Sequence, residues 1–388
     1  MRKSDVLFLI VGTNPMPNVI SILNRVKENG KVFLIHSNEK GVVFSTESIA
    51  NSLINIFKEK SEAIVLEPIA VNMMSESNMV QEVKHRMNSL NNSCIELNYT
   101  GGTKLMSSTI YGYFKEEMRK GERDIILSYL DCEKELFIYE KCRANTIISI
   151  EEKIEDININ NRFNLKDIIK SHGLNCDNSR KKTNFETISY EFFSNIENMS
   201  YDEKESWLEE FNEIFKKAMK KKNKEILIDF IKKYSNNILV DEIEELSFDD
   251  VKDYVLGENL EEFIFRILTE LKDKSEIDDF IWSYEQMPTD EMASTEIDFV
   301  IIKGMKNYLL SVTLCEEEYV CKPKLYEAKM RGEQLAGDET RVGFICLYKS
   351  HEELEELIGA NGKYSKDLII AIDNFNNIKD KLRDWFRR

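Results

Sequence analysis

Short apolar runs that alternate with segments of helical spacing constrain this 388-residue chain more than any other feature. Val6-Leu7-Phe8-Leu9-Ile10-Val11 contains no polar residue. Such a run suits a strand covered on both faces, where neither side of the pleat meets water. Residues 12–18 break it, and Val19, Ile20, Ile22, Leu23 and Val26 then recur as on one face of a helix. The alternation repeats, with strands at 32–35, 63–66 and 94–97 and helices at 46–58 and 79–90. That order implies a mostly parallel sheet with helices on both faces. Residues 125–129 and 136–139 flank Asp131-Cys132-Glu133-Lys134, a hairpin turn that adds an antiparallel edge.

In such sheets ligands lie beyond the carboxyl ends of the strands, where strand order reverses. Three loops follow strands here: residues 12–18, His36-Ser37-Asn38, and Asn98-Tyr99-Thr100-Gly101-Gly102-Thr103-Lys104. The last runs into Leu105, Met106, Ile110, Tyr111 and Phe114 at helical spacing. The first N–H groups of that helix lack internal partners, and its dipole favours anions there. Two glycines allow close approach to the backbone, and Lys104 adds a cation. The stretch reads equally as a plain turn with Thr103 as N-cap. It is not a P-loop, and no Gly-x-Gly-x-x-Gly follows the first strand, which disfavours a dinucleotide site of the dehydrogenase kind.

A strand followed by Thr100-Gly101-Gly102-Thr103-Lys104, with Asn14-Pro15 in the first-strand loop, resembles the CARF domain, the sensory module of type III CRISPR accessory proteins. The resemblance covers roughly the first 140 residues. It implies a Rossmann-like fold, a homodimer, and a cyclic oligoadenylate bound across the two-fold axis, tetra-adenylate in preference to hexa-adenylate. By that match Thr13, Asn14, His36, Ser37, Thr100, Gly101, Gly102, Thr103 and Lys104 are the ligand contacts, with Met106 beneath them or simply in the core. His36 also reads as a solvated or capped histidine.

The last third opens with a helix that begins at residue 257 and carries Glu261 and Glu262 in its first turns. Residues 277–284 are strand-like. Glu296-Ile297-Asp298-Phe299-Val300-Ile301-Ile302 and Tyr308-Leu309-Leu310-Ser311-Val312-Thr313 form a hairpin about residues 303–307. This order resembles the PD-(D/E)XK nucleases. The resemblance implies a restriction-endonuclease-like α/β domain in which Asp298 and Glu261, with Glu262 as the other candidate, hold Mg²⁺ or Mn²⁺ for DNA or RNA cleavage. Ser311 and Thr313 fall on the second-strand motif, and Thr313 stands where the family has lysine. Lys303, Lys322 and Lys324 are the lysines that could reach in from neighbouring elements. A pseudonuclease that only binds, or a displaced alignment, explains the threonine as well. Beyond the hairpin come a helix at 326–335 ending before Gly337, strands at 341–348 and 368–372, and an amphipathic packing helix at 379–388.

Between the two resemblances the chain is mostly helical. Residues 147–150 form a further strand or a linker, Asn164 to Gly173 a short helix closed by glycine, and residues 179–183 a basic loop. The lysine-rich run at 216–224 is a solvated helix face or a wall beside nucleic acid. The expected domains are a CARF sensor at 1–145, a helical connector at 146–250 and a nuclease-like domain at 251–388. A formal charge of −17 argues against a broadly basic nucleic-acid coat. Seven scattered cysteines suggest reduced thiols, and the absence of a long apolar segment suggests a cytoplasmic protein without a membrane span. The function these features favour is an antiviral effector that senses cyclic oligoadenylate and gates a metal-dependent nuclease. The rivals are a non-catalytic CARF protein, a ring nuclease, and a CARF-linked transcription regulator.

Overall fold

Leu7 to Val11 have no exposed surface, so the first apolar run does form a strand buried on both faces. The computed structural model describes residues 3–38, 46–60, 63–90, 93–143, 146–154, 163–172, 185–236, 241–286, 295–336, 340–357 and 366–388. Gly173, the loop at 179–183 and Gly337 lie outside them. Two compact units divide the chain. One holds residues 1–176 with two short stretches, 304–306 and 334–339, and the other holds the rest.

The first unit runs β1 Ser4–Ile10, α1 Met16–Arg25, β2 Val26–Ser37, α2 Glu47–Lys60, β3 Val65–Val71, α3 Glu76–Asn88, β4 Ile95–Asn98, α4 Lys104–Lys120, β5 Ile125–Asp131, β6 Leu136–Arg143, β7 Thr146–Lys153 and α5 Leu165–Ser171. Its sheet has the order β3-β2-β1-β4-β5-β6-β7. The first five strands are parallel, with Phe8 level with Phe33 on one side and Leu97 on the other. β6 and β7 continue antiparallel. The expected Rossmann-like sheet with an antiparallel edge is therefore what forms. The chain leaves β1 toward β2 on one side and later returns beside it as β4, so strand order reverses between β1 and β4.

Three strands depart from the sequence reading. β2 starts at Val26 rather than 32, across a register shift opposite Ser4 and Val6 that takes in Asn29 at φ 64°. β3 lies at 65–71, not 63–66. It is an edge strand, which tolerates Pro68 and an outward face, so the apolar run at 63–66 marks only its start. Residues 146–153 pair with β6 along their whole length, so the first unit extends past 145.

One feature had no sequence signal. Arg25, at the end of α1, forms a two-pronged ion pair with Glu96 of β4 at 2.8 and 2.9 Å. Both are buried, and the guanidinium sits 5.4 Å from the rings of Phe137 and Tyr139. Planar bidentate pairing is what lets two charges stay in so dry a place.

The second unit contains α6 Glu186–Glu197, α7 Tyr201–Lys221, α8 Glu225–Tyr234, α9 Asp241–Glu244, α10 Phe248–Asp253, a π-helical turn Tyr254–Glu258 and α11 Asn259–Asp273. There follow β8 Asp279–Gln286, β9 Thr295–Lys303, β10 Lys306–Val312, α12 Glu318–Ala336, β11 Arg341–Ile345, α13 His351–Leu357, β12 Leu368–Ile370 and α14 Ile378–Arg387. The sheet order is β12-β11-β10-β9-β8, with β8 antiparallel to β9 and β10, β11 and β12 mutually parallel. The expected separate connector is corrected here. Phe193, Trp207 and Phe230 of its helices share one core with Phe263, Ile301, Leu310 and Trp385, because their apolar stripes cover the same sheet face. The lysine-rich run ends α7, where Lys216, Lys217, Lys220 and Lys221 are exposed and suit the negative end of the helix dipole.

Candidate functional site

Where strand order reverses, the loops after β1 and β4 touch through their backbones. A Cβ added to Gly101 would stand 2.3 Å from the Ile10 carbonyl oxygen and 2.8 Å from the Gly12 nitrogen. One added to Gly102 would stand 2.3 Å from Ile10 Cγ2, and Gly102 has φ 82°, a left-handed conformation that glycine adopts without strain. The glycine pair is therefore required by the approach of β1, whatever else it does. Thr103 caps α4, its hydroxyl accepting the Met106 N–H at 3.2 Å. Ser107 Oγ donates to the Gly101 carbonyl at 2.7 Å and holds the turn down on its own helix. Asn14 Oδ1 accepts the Met16 N–H at 3.0 Å at the start of α1. Two helix N-termini thus open beside one another, with Thr13, Gly102, Thr103 and Lys104 exposed.

The remaining expected contacts are placed differently. His36 and Ser37 are only 3% and 2% exposed. The Ser37 N–H donates to Thr46 Oγ1 at 3.0 Å and the Thr46 N–H returns to Ser37 Oγ at 3.2 Å, so this pair closes the β2 end rather than presenting it. Thr100 Oγ1 accepts the Leu130 N–H at 2.7 Å and ties the turn to β5. Met106 is buried in the core of the first unit. Gly12 is the residue sequence reasoning passed over. A glycine closing the first strand was the available signal.

In the second unit, Asp298 of β9 faces β10. Its Oδ2 accepts the Val312 N–H at 2.6 Å and the Ser311 hydroxyl at 3.0 Å. Burial pushes this carboxyl above its ordinary range, and nearby Glu296 pushes the same way. Those two hydrogen bonds and the charge of Lys324 act against that. Lys324, from α12, donates to Thr313 Oγ1 at 3.4 Å. Of the three lysines named from sequence, this is the one that reaches the threonine. Lys303 instead donates to the Ser275 carbonyl, and Lys322 pairs with Glu318. Glu296, two residues before Asp298 and so on the same strand face, was missed although the period of two points to it. Ser283 Oγ donates to it at 2.6 Å, from a residue held at φ 53° in β8.

Glu261 and Glu262 are not gathered with these groups. Glu261 accepts the Trp282 indole N–H at 2.9 Å, and Trp282 stacks on Phe299, in the core that α11 covers. Asp298 lies on the other face of β9 from Phe299, because neighbouring strand residues point oppositely. Glu262 is buried and accepts the Ser189 hydroxyl at 2.8 Å. Among the described residues no three His, Cys, Asp or Glu side chains come together as a metal-holding group. The carboxylate whose charge acts on Asp298 is Glu296, on the same face of β9.

Residues 6–167 match the family of the Card1 CARF domain. No curated protein sequence matches the chain significantly. Over 98% of each chain, the fold is similar to protein VC1899 from Vibrio cholerae, with 13% identity and a TM-score of 0.72. It is also similar to Can2 from Sulfobacillus thermosulfidooxidans, solved in complex with cyclic tetra-adenylate, with 15% identity and a TM-score of 0.69 over 98% of this chain and 99% of that one. A type III CRISPR defence DNA nuclease activated by cyclic oligoadenylate is 11% identical, with a TM-score of 0.55. That match covers all of this chain and 52% of the other, so the present chain spans about half its length. At these identities the likeness is one of fold. No described helix is long and apolar enough to cross a membrane.

Proposed function

We propose that this chain is a cyclic-oligoadenylate sensor of type III CRISPR defence whose second unit is a metal-dependent nuclease. One observation carries the sensing half. In a stretch that matches the CARF family, the loops after β1 and β4 meet at the strand-order reversal and present Thr13, Gly102, Thr103 and Lys104 beside two helix N-termini. Unpaired N–H groups and a lysine suit the phosphates of a linear or cyclic nucleotide. A homodimer would place two such rims about one ring. The ligand class is the one Can2 holds, cyclic tetra-adenylate.

The nuclease half rests on Asp298, Glu296 and Lys324. Two carboxylates suffice for Mg²⁺ or Mn²⁺ when water and substrate phosphate complete the shell. Asp298 and Glu296 would hold the ion, which when bound supplies a Lewis acid for phosphodiester hydrolysis. Val312 N–H and Ser311 orient the Asp298 carboxylate. Lys324, carried by α12 instead of β10, supplies beside Thr313 the cation that the hairpin motif lacks, and stabilises negative charge that develops on the phosphate. Glu261, across the sheet, positions Trp282 instead.

The test uses purified chain with Mn²⁺ or Mg²⁺, single- and double-stranded DNA and RNA, and cyclic tetra- or hexa-adenylate present or absent. Cleavage that requires ligand and is lost in Asp298→Ala and Lys324→Ala supports the reading. Unchanged cleavage in Lys324→Ala removes that residue's role. Activity only in Thr313→Lys supports the rival reading, a non-catalytic sensor, which the incomplete acid cluster favours. Loss of the oligoadenylate itself, without nucleic-acid cleavage, points to a ring nuclease.

A further inference from the structure

Helix α12 begins beside three thiols that the nuclease reading does not use. Cys315 lies between β10 and α12, Cys321 in the first turns of α12, and Cys346 just past β11. Cys321 and Cys346 are buried in a small core with Leu325, Phe344 and Leu354, and half-buried Cys315 packs against it. Cys321 Sγ donates to the Cys315 carbonyl oxygen at 3.2 Å, and the Glu317 N–H donates to Cys315 Sγ at 3.4 Å. The Cys321 thiol is also under the electrostatic influence of Cys346 and Cys315. Cys346 first, then Cys315 and the nearby Lys324 charge, lower the Cys321 thiol from its ordinary value against the effect of burial. Burial pushes Cys346 well up, so it remains a thiol. Burial also raises Cys315, while the Glu317 N–H works the other way. All three are free thiols in the structure.

We propose that Cys315 and Cys321 are a reversible disulfide-forming pair, a modification site at the foot of α12 that takes a peroxide as oxidant. The Cys315 sulfur attacks one oxygen of hydrogen peroxide and the O–O bond breaks. The Cys315 proton leaves with the departing hydroxide as water, and Cys315 becomes a sulfenic acid. The Cys321 sulfur then attacks the sulfenic sulfur and displaces its hydroxide, which takes the Cys321 proton as a second water. Two thiols are oxidised and one peroxide is reduced to two waters. Cys315 is the partner open to solvent, and Cys321, buried with its sulfur against the Cys315 backbone, resolves it. Cys346, buried in the same small core, stays outside the bond.

The disulfide stands without the nuclease reading, and only its consequence rests on that reading. Thr313 lies two residues before Cys315, and Lys324 lies three residues beyond Cys321, on the same side of the helix. A Cys315–Cys321 bond therefore ties the strand end carrying Thr313 to the helical turn carrying Lys324, and alters their contact.

The experiment treats the full reduced chain with hydrogen peroxide, alkylates the remaining thiols after denaturation and maps the peptides by mass. The expected result is an intramolecular link between Cys315 and Cys321 that a dithiol reverses. Cys315→Ser removes the link and slows thiol loss at Cys321 at least about tenfold, since both sulfurs are needed. Replacing exposed Cys142 by serine leaves the link unchanged. A link between any other pair overturns the proposal. So does equal oxidation of Cys321 in Cys315→Ser, or consumption of peroxide at Cys142 with no link. A wild type that forms the link but shows the same nuclease rate when oxidised retains the site and loses only the consequence for Lys324.

Discussion

A methyl group on Gly101 meets two backbone atoms, Ile10 O and Gly12 N, which no change of rotamer can move aside. Gly101→Ala is therefore expected to lose about 1–3 kcal/mol of stability, the usual cost of overpacking, read by urea denaturation. An unchanged midpoint would show that the two loops do not approach so closely. Asp298 gives the opposite kind of prediction. Its carboxyl is raised in the folded state, so the native protein binds its proton more readily than the unfolded chain does. Any penalty is absent below the unfolded value and grows as pH rises through the folded one. In metal-free protein, Asp298→Asn should thus match or exceed wild-type melting temperature at pH 7. That advantage should shrink toward pH 4, and a growing advantage at acid pH would contradict the assignment.

Two elements depend on single side chains at their ends. The Thr103 hydroxyl satisfies an otherwise open N–H of α4. Thr103→Ala should cost about 1 kcal/mol, while Thr103→Ser keeps the cap. If the rim binds an oligoadenylate, the alanine variant should also weaken it in calorimetric titration. Arg25 joins α1 to β4 through Glu96. Arg25→Leu leaves a buried carboxylate alone and should cost about 3–5 kcal/mol, and Arg25→Leu with Glu96→Leu should recover much of it. A double variant no better than the single one would mean that the pair's packing under Phe137 and Tyr139 matters more than its charge.

For the whole molecule, a ligand that binds only the folded sensor raises stability by mass action. At a hundredfold excess over Kd the gain is about 2.7 kcal/mol. Cyclic tetra-adenylate should raise the melting temperature of wild type and do so less in Lys104→Ala, which removes an exposed side chain. Equal shifts in both would remove Lys104 from the site. The sequence by itself determined the alternating sheet of the first unit, because strands buried on both faces must be apolar throughout. It also determined the glycine turn and the acid-bearing hairpin, whose signals are local. The extents of edge strands β3 and β7 escaped it, since their outer faces follow a partner's register rather than an internal pattern. So did the merging of the middle helices into one core with the C-terminal sheet, since an apolar stripe does not name the surface it will cover. Tertiary structure alone decided that Gly12 abuts Gly101, that His36 and Ser37 are closed, that Glu261 lies across the sheet from Asp298, and that Lys324 reaches Thr313. Each of these joins residues far apart in the chain or on opposite faces of a strand, and only the packing of whole elements settles such distances.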